Sequence, residues 1–175
     1  GLQEAGLETN DYDTLAKITE SHLKSVPFGN LSQHGAPYDT SIEMEATATK
    51  VLQKRREGFC YEVNLLLGKV LEEMGYSVQR IGAEVFKGSF WTPEVHVWLF
   101  VNEKWHVDVG LGEPAIQPLE YPQFDTEQET AEGMKSRFVK DEESGNVVLE
   151  WLVVDDQGEA WVPRLRWPEE LQVKT

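Results

Sequence analysis

The sequence predicts an α+β fold, with helices in the first part of the chain and strands in the remainder. One observation is a wide apolar stripe at helical spacing in the first part. It comprises Val63, Leu66, Leu67, Val70, Leu71 and Met74. The other is a change after Tyr76 to short apolar runs separated by turn residues, which is typical of strands. We therefore expect a helical domain at residues 1–75 and a β-rich domain at residues 76–175.

Three helices are predicted before residue 76. The first follows Asn10 or Asp11, either of which can cap a helix, and it ends at Pro27. The second spans about 43–55. The third carries the apolar stripe and ends at Gly75, a residue type that commonly terminates helices. In the second helix, the side chains expected to face inward are Met44, Val51 and Leu52.

Six strands are predicted in the second part of the chain. They span about residues 78–86, 95–101, 105–109, 137–140, 147–155 and 160–167. Gly82 indicates a bulge within the first of them. Residues 113–135 combine prolines and acidic side chains with little periodicity, so we expect an irregular connection there.

Composition narrows the classes of partner. The chain has 16 basic and 31 acidic residues, for a net charge of −15. Such a surface repels phosphate backbones and anionic lipid, so nucleic acids and membrane surfaces are not expected partners. There is also no apolar run of about 18 residues. The single cysteine cannot form an internal disulfide, which is compatible with a reducing cytoplasm.

Cys60 is the candidate nucleophile. It lies at the start of the predicted third helix, where unpaired N–H groups and the helix dipole favour a thiolate. A lone cysteine is equally compatible with a small buried apolar residue. Placement alone leaves these two interpretations open.

His96 and Asp108 are the candidate base and the acid that orients it. Each lies in an apolar strand, and a carboxylate within such a strand needs a polar partner. An odd-length loop between the two strands, either 101–103 or 102–104, places both side chains on one face. A two-residue turn would separate them. The hypothesis therefore requires a three-residue loop.

Other histidines are weaker candidates. His106 is the rival base, but it lies on the same strand as Asp108, and same-face neighbours on a strand stand about 7 Å apart. His22 and His34 are interpreted as surface or packing residues in the helical part. No cluster of cysteine and histidine has the spacing of a metal site, so no metal is expected.

Three segments resemble one enzyme family. The segment at 56–64 reads Arg-Glu-Gly-Phe-Cys-Tyr-Glu-Val-Asn and resembles the Arg-Gly-Gly-Phe/Tyr-Cys-x-Glu-x-Asn signature of arylamine N-acetyltransferases. The segment at 26–31 reads Val-Pro-Phe-Gly-Asn-Leu and resembles that family's Val-Pro-Phe-Glu-Asn-Leu. The segment at 107–112 reads Val-Asp-Val-Gly-Leu-Gly and is similar to Val-Asp-Val-Gly-Phe-Gly.

The resemblance implies a fold, a site and an activity. The fold is a helical bundle followed by an antiparallel β-barrel-like domain, distantly like cysteine peptidases and transglutaminases. The site is a triad of Cys60, His96 and Asp108. The activity is ping-pong transfer of acetyl from acetyl-CoA, through a thioester, to an arylamine, arylhydrazine or N-hydroxyarylamine. No permanently bound cofactor is implied.

The chain also departs from the family pattern. Glu57 replaces the first glycine of Arg-Gly-Gly, and Gly29 replaces the glutamate after Val-Pro-Phe. The sequence stops soon after Trp167, whereas family members continue into a third α/β domain that acts as a lid, so a short form without that lid is expected. Three basic residues could contact the phosphates of CoA or could equally be ordinary surface charges: Arg80, Lys87 and Lys104.

Three other functions fit the same residues. One is an amide synthase that uses a larger acyl thioester, and a second is a cysteine hydrolase with water as the acceptor. The third is a non-catalytic module that binds a partner through the same cleft. The sequence does not identify the acceptor amine, the acyl donor or the oligomeric state.

Overall fold

The computed structural model describes residues 11–35, 40–111, 116–130, 133–156 and 158–174. The helices are α1 at Tyr12–Ser25, α2 at Met44–Ala48 and α3 at Cys60–Glu73. The strands are β1 at Val78–Val85, β2 at His96–Val101, β3 at Trp105–Val107, β4 at Leu119–Glu120, β5 at Gln128–Glu129, β6 at Lys135–Lys140, β7 at Asn146–Asp155 and β8 at Gly158–Pro168. The predicted order of helices before strands is confirmed.

The helix ends follow local capping chemistry. The Asp11 carboxylate accepts a hydrogen bond from the Thr14 N–H at 2.9 Å and caps α1. The alternative cap, Asn10, lies outside the described residues. Gly75, with φ of 93°, follows α3 in the left-handed conformation expected of a terminating glycine.

The second helical segment differs from the prediction. α2 continues directly into a π-helical turn at Thr49–Gln53. A π turn holds an extra residue, so it changes which side chains face inward. Lys50 and Val51 are buried there, whereas Leu52 is 55% exposed. The prediction that Leu52 faces inward is therefore wrong.

The eight strands form one sheet in the order β4-β3-β2-β1-β8-β7-β6-β5, and every neighbouring pair is antiparallel. The side-chain amide of Gln128 in β5 donates to the Glu120 carbonyl in β4 and accepts from its N–H, at 2.8 and 2.7 Å. These bonds join the two edge strands, so the sheet is nearly closed into a barrel.

Gly82 marks a close contact and not the predicted bulge. It pairs in regular register with Val97. A Cβ at this position would lie 2.3 Å from the Glu94 carboxyl carbon, so the Glu94 side chain occupies that space. Glu94 in turn forms an ion pair with Lys174 at 2.6 Å. Among the described strands, a shift in register lies instead between Leu149 and Glu150, where β7 pairs with β8.

Two hydrophobic cores meet at β2. The core inside the curved sheet includes Trp98 and Phe100, together with aromatic side chains of later strands. The second core, between the helices and the sheet, includes Leu99 and Val101. Because successive side chains of a strand point to opposite faces, β2 contributes to both cores and is buried along its whole length. No helix within the described ranges is long and apolar enough to cross a membrane.

Candidate active site

A buried ion pair fixes the start of α3. The Glu62 carboxylate is fully buried and accepts from the Lys50 ammonium at 2.7 and 2.9 Å. It also accepts from the N–H of Phe59 at 3.2 Å and of Ser41 at 3.3 Å. Phe59 has no side-chain acceptor to cap the helix, so Glu62 caps it from within the first turn. The residue that follows Phe59 is therefore firmly placed.

That residue is Cys60, the first of α3 and a free thiol. It is partly exposed, which leaves it open to a reagent or a substrate. Its Sγ lies 3.7 Å from the Val95 carbonyl oxygen, and its thiol is one of the groups that raise the pKa of His96. A buried apolar role for this cysteine does not fit these contacts.

The hairpin between β2 and β3 brings His96 to Asp108. Val101 pairs with Trp105, so the loop is the three-residue 102–104 that the hypothesis required. The Nε2 atom of His96 lies 2.6 Å from Oδ2 of Asp108, and both side chains are buried. Because Nε2 faces Asp108, Nδ1 remains for Cys60. The structure thus brings the three predicted residues together, and their catalytic roles stay a prediction.

Asn64 holds the acid in place. Its Nδ2 donates to Oδ1 of Asp108 at 2.9 Å and to the Val97 carbonyl at 2.8 Å, and its Oδ1 accepts from the Val109 N–H at 3.0 Å. The Gly110 N–H donates to the same Asp108 oxygen at 2.8 Å. Asp108 therefore accepts bonds on both oxygens and is fixed from two elements.

Gly110 allows α3 to approach the hairpin. A Cβ at this position would lie 2.6 Å from the Cα of Cys60 and 2.7 Å from Nδ2 of Asn64. Non-bonded atoms do not approach that closely, so any larger residue would push the helix away from the end of β3. The glycine is required by this contact and not by an unusual backbone angle.

The pair has strongly altered acidities. Burial acts to lower the pKa of His96, but the charge of Asp108 and hydrogen bonds to Asp108 and Cys60 raise that pKa to about 10. Burial acts to raise the pKa of Asp108, whereas the His96 charge and bonds from His96 and Asn64 hold it below its usual value. The arrangement favours an imidazolium held beside a carboxylate.

His106 occupies a different environment from His96. It is buried against the rings of Trp98, at 4.4 Å between centroids, and of Trp167, at 5.7 Å. Burial lowers the pKa of His106 to about 4. A neutral ring held between aromatic side chains is a packing residue, which favours His96 as the base.

The remaining candidates lie apart from this cluster or are engaged elsewhere. Arg80 pairs with Glu72 of α3 at 2.7 Å, and Lys104 pairs with Glu120 at 3.3 Å. Lys87 is exposed in the segment after β1. The other two histidines are His22, which is half-buried and whose pKa burial lowers to about 4, and the exposed His34.

Some residues of the site were not identified from the sequence. Glu62 and Asn64 were part of the family signature, but no role was inferred for either. A signal did exist, because both lie on the buried side of an amphipathic helix, where a polar side chain needs a partner. Lys50 gave no such signal, since its burial depends on the π turn.

The family model described as N-acetyltransferase matches residues 11–173. Among curated proteins, a pineal-gland arylamine N-acetyltransferase of Gallus gallus is 36% identical over 115 residues, which cover 62% of this chain and 39% of that protein. An N-malonyltransferase of Gibberella moniliformis is 33% identical over 124 residues, covering 62% of this chain and 36% of its own. Each of these alignments therefore covers less than half the length of the relative.

Solved structures show the same fold. The arylamine N-acetyltransferase of M. tuberculosis superposes with a TM-score of 0.79 and 28% identity, over 93% of this chain and 61% of that one. The Mycobacterium marinum enzyme, solved in complex with CoA, gives a TM-score of 0.78 and 29% identity, over 93% and 60% of the two chains. The family match covers most of the sequence, and the fold agrees over nearly the whole chain. The chain therefore belongs to the N-acetyltransferase family that includes the arylamine N-acetyltransferases.

Proposed function

We propose that the protein is an acyltransferase in which Cys60 carries the acyl group, His96 moves the proton and Asp108 orients His96. The observation that carries the proposal is the Cys60–His96–Asp108 cluster, with its 2.6 Å contact between His96 Nε2 and Asp108 Oδ2. A nucleophile, a base and a group that orients the base are the components that covalent acyl transfer needs.

In the first half-reaction, the Cys60 thiolate attacks the carbonyl carbon of an acyl-CoA. The C–S bond to CoA breaks, and the departing thiolate takes a proton from the His96 imidazolium. Since Asp108 favours that imidazolium, it keeps the proton available at the correct atom. The products are a Cys60 thioester, free CoA and a neutral imidazole.

In the second half-reaction, an amine attacks the thioester carbon and His96 accepts the proton that the amine loses. The C–S bond to Cys60 breaks, which restores the thiolate and the imidazolium. The acceptors that family membership favours are arylamines, arylhydrazines and N-hydroxyarylamines, and the favoured donor is acetyl-CoA. Acetyl-CoA acts as a cosubstrate and not as a bound cofactor.

A larger acyl group is the second candidate. The N-malonyltransferase relative supports it, because that protein is named for a different acyl group and also covers 62% of this chain.

We also propose the cytoplasm as the site of action, because a free thiol nucleophile is kept reduced there.

Intact-mass spectrometry tests these proposals. The protein is incubated with acetyl-CoA or malonyl-CoA, with and without aniline, and compared with a Cys60→Ala variant. We expect one acetyl adduct on the unsubstituted protein that aniline removes as the anilide forms. An adduct that forms with malonyl-CoA but not with acetyl-CoA would favour the larger donor. If the adduct is lost in buffer as fast as it is lost with aniline, the protein is a hydrolase. Absence of any adduct with every donor contradicts catalysis.

His96→Gln tests the proton role. The glutamine side chain is polar and similar in size to histidine, but it cannot accept and release a proton. Acylation of Cys60 is therefore expected to slow by about a hundredfold or more. His106→Phe serves as the matched histidine control and should acylate at a rate close to that of the unsubstituted protein. If His106→Phe slows acylation of Cys60 and His96→Gln does not, His106 is the base.

A further inference from the structure

The two motif departures face each other across the loop that precedes Cys60. The Gly29 N–H donates to the Gly58 carbonyl at 3.0 Å, and the Gly58 N–H donates to the Pro27 carbonyl at 3.1 Å. The segment after α1 therefore runs beside the residues that lead into α3. Gly29 and Glu57 are neighbours in this contact, although they lie far apart in the sequence.

Glu57 occupies the space that a side chain at position 29 would need. A Cβ on Gly29 would lie 2.7 Å from Cγ of Glu57 and 3.0 Å from its Cβ. Both contacts are shorter than ordinary van der Waals contact, and both involve the inner part of the Glu57 side chain. The glycine at position 29 is thus matched to the glutamate at position 57.

The Glu57 carboxylate connects the loop before Cys60 to the turn that follows Gly29. Its Oε1 accepts from the buried hydroxyl of Ser32 at 3.2 Å, in the 3-10 turn at Leu31–His34. Its Oε2 lies 3.3 Å from Nη2 of Arg56. The Glu57 side chain is only 13% exposed. Its own N–H, Ser32 and Arg56 all stabilise the charged form, so the pKa of Glu57 is lowered despite some opposing burial.

In the family motifs, glutamate follows Val-Pro-Phe and glycine precedes Gly-Phe-Cys. Here the two residue types are exchanged. We propose that the exchange preserves one carboxylate between these two segments, and that Glu57 is a positioning residue that holds the loop before Cys60. The positioning role of Glu57 matters for catalysis only if Cys60 has the proposed function. The exchange of glutamate and glycine between the two segments does not depend on that function.

The exchange is tested by a stability cycle in urea. Gly29→Ala alone should lower the urea midpoint, because the new methyl group meets Glu57. In a Glu57→Gly background the same substitution should leave the midpoint unchanged or raise it, because the obstruction is gone. Equal effects of Gly29→Ala in both backgrounds would overturn the exchange.

Positioning is tested by the rate at which iodoacetamide alkylates Cys60, measured under conditions in which each variant is fully folded. Iodoacetamide needs no acyl donor, so this readout is separate from the proposed acyl transfer. We expect Glu57→Gly to alkylate about tenfold more slowly, as small displacements of a reacting group commonly cause. A loss of stability alone does not change the rate in the folded state.

The reciprocal variant Gly29→Glu/Glu57→Gly returns the carboxylate from the opposite segment. We expect it to regain most of the lost alkylation rate, and Glu142→Gln, in an exposed turn, to serve as a control that keeps the original rate. An unchanged rate in Glu57→Gly, or a reciprocal variant no faster than it, would overturn the positioning role. If the alkylation results hold while acetyl-CoA gives no adduct, the proposed function fails and this inference stands.

Discussion

At the scale of single residues, two buried histidines have opposite acid–base properties. His96 and His106 are both almost fully buried, yet the pKa of His96 is raised to about 10 and that of His106 is lowered to about 4. The difference is the partner. His96 has a carboxylate at 2.6 Å, whereas His106 is packed against aromatic rings, and burial is the largest influence on its pKa. Burial therefore does not identify a base until the partner is known.

His106 makes the stability of the fold depend on pH. Its pKa is about 4 in the folded chain against 6.5 ordinarily, so between these values the unfolded chain binds a proton that the folded chain does not. The free energy of unfolding therefore falls as the pH falls through this window, by up to about 1.4 kcal/mol per pH unit for this residue. His106→Phe should show a shallower decrease, measured by urea titrations between pH 6.5 and 4.5. Parallel curves for both proteins would contradict the assignment.

The sequence predicted the three residues that the structure brings together, but not the residues that support them. Cys60, His96 and Asp108 were predicted from the place of Cys60 at the start of a helix, from the partner that a carboxylate needs within an apolar strand, and from the family motifs. The sequence did not decide the register of the hairpin, since a two-residue and a three-residue turn both fit residues 101–105. It showed only that the site requires the three-residue loop. The bonds of Asn64 were not predictable, because they depend on how α3 lies against the end of β3.

At the scale of elements, the site is the contact between the start of α3 and the hairpin β2–β3. Neither element contains a complete site, since the thiol belongs to the helix, the imidazole belongs to β2, and the carboxylate directly follows β3. Gly110 sets how close the two elements come. The geometry of the site therefore depends on a helix–sheet distance as much as on side-chain identity.

Gly110→Ala should separate these elements. Its Cβ would lie 2.6 Å from the Cα of Cys60, so the helix must move by a substantial fraction of an ångström or more. We expect alkylation of Cys60 in the folded variant to slow by about a hundredfold. Gly145→Ala is the control: it strains an exposed turn at φ of 70°, where a Cβ meets nothing within 4 Å, and should affect stability alone. Equal rates for the two variants would contradict the contact.

The ion pair of Lys50 and Glu62 stabilises α3 from the neighbouring π turn. Lys50→Met leaves the fully buried Glu62 without its cation, so we expect the free energy of unfolding to fall by about 3–5 kcal/mol. Lys69→Met removes an ion pair on the exposed face of α3 and should cost much less. Urea denaturation at neutral pH measures both. Similar losses in the two variants would show that burial of the pair has no special effect.

The elements that the sequence did not predict share a physical cause. β4 and β5 have two residues each and are held by pairing with neighbours, so no apolar alternation precedes their formation. The π turn likewise has no pattern of its own and moves Leu52 to the surface. By contrast, α3 was predictable because its sequence carries the helical period, and β7 because it is a long apolar run bounded by turn residues.

At the scale of the whole molecule, β2 lies where the two cores meet. It pairs with β1 on one side and β3 on the other, and both of its faces are buried. Its amides should therefore exchange with deuterium only through global unfolding, whereas those of β4 and β5 should exchange sooner. Hydrogen-exchange mass spectrometry on overlapping peptides measures this order. Early exchange in residues 96–101 would contradict a continuous pair of cores at β2.

The position of His96 at the start of β2 also limits how its ring can move. A side chain anchored on this strand and bonded to a fixed carboxylate has no second rotamer to adopt without breaking that bond. A base of this kind cannot swing from the leaving group of one substrate towards the nucleophile of the next. Under the proposed function, both substrates therefore come to the same nitrogen in turn, and the site processes them one after the other.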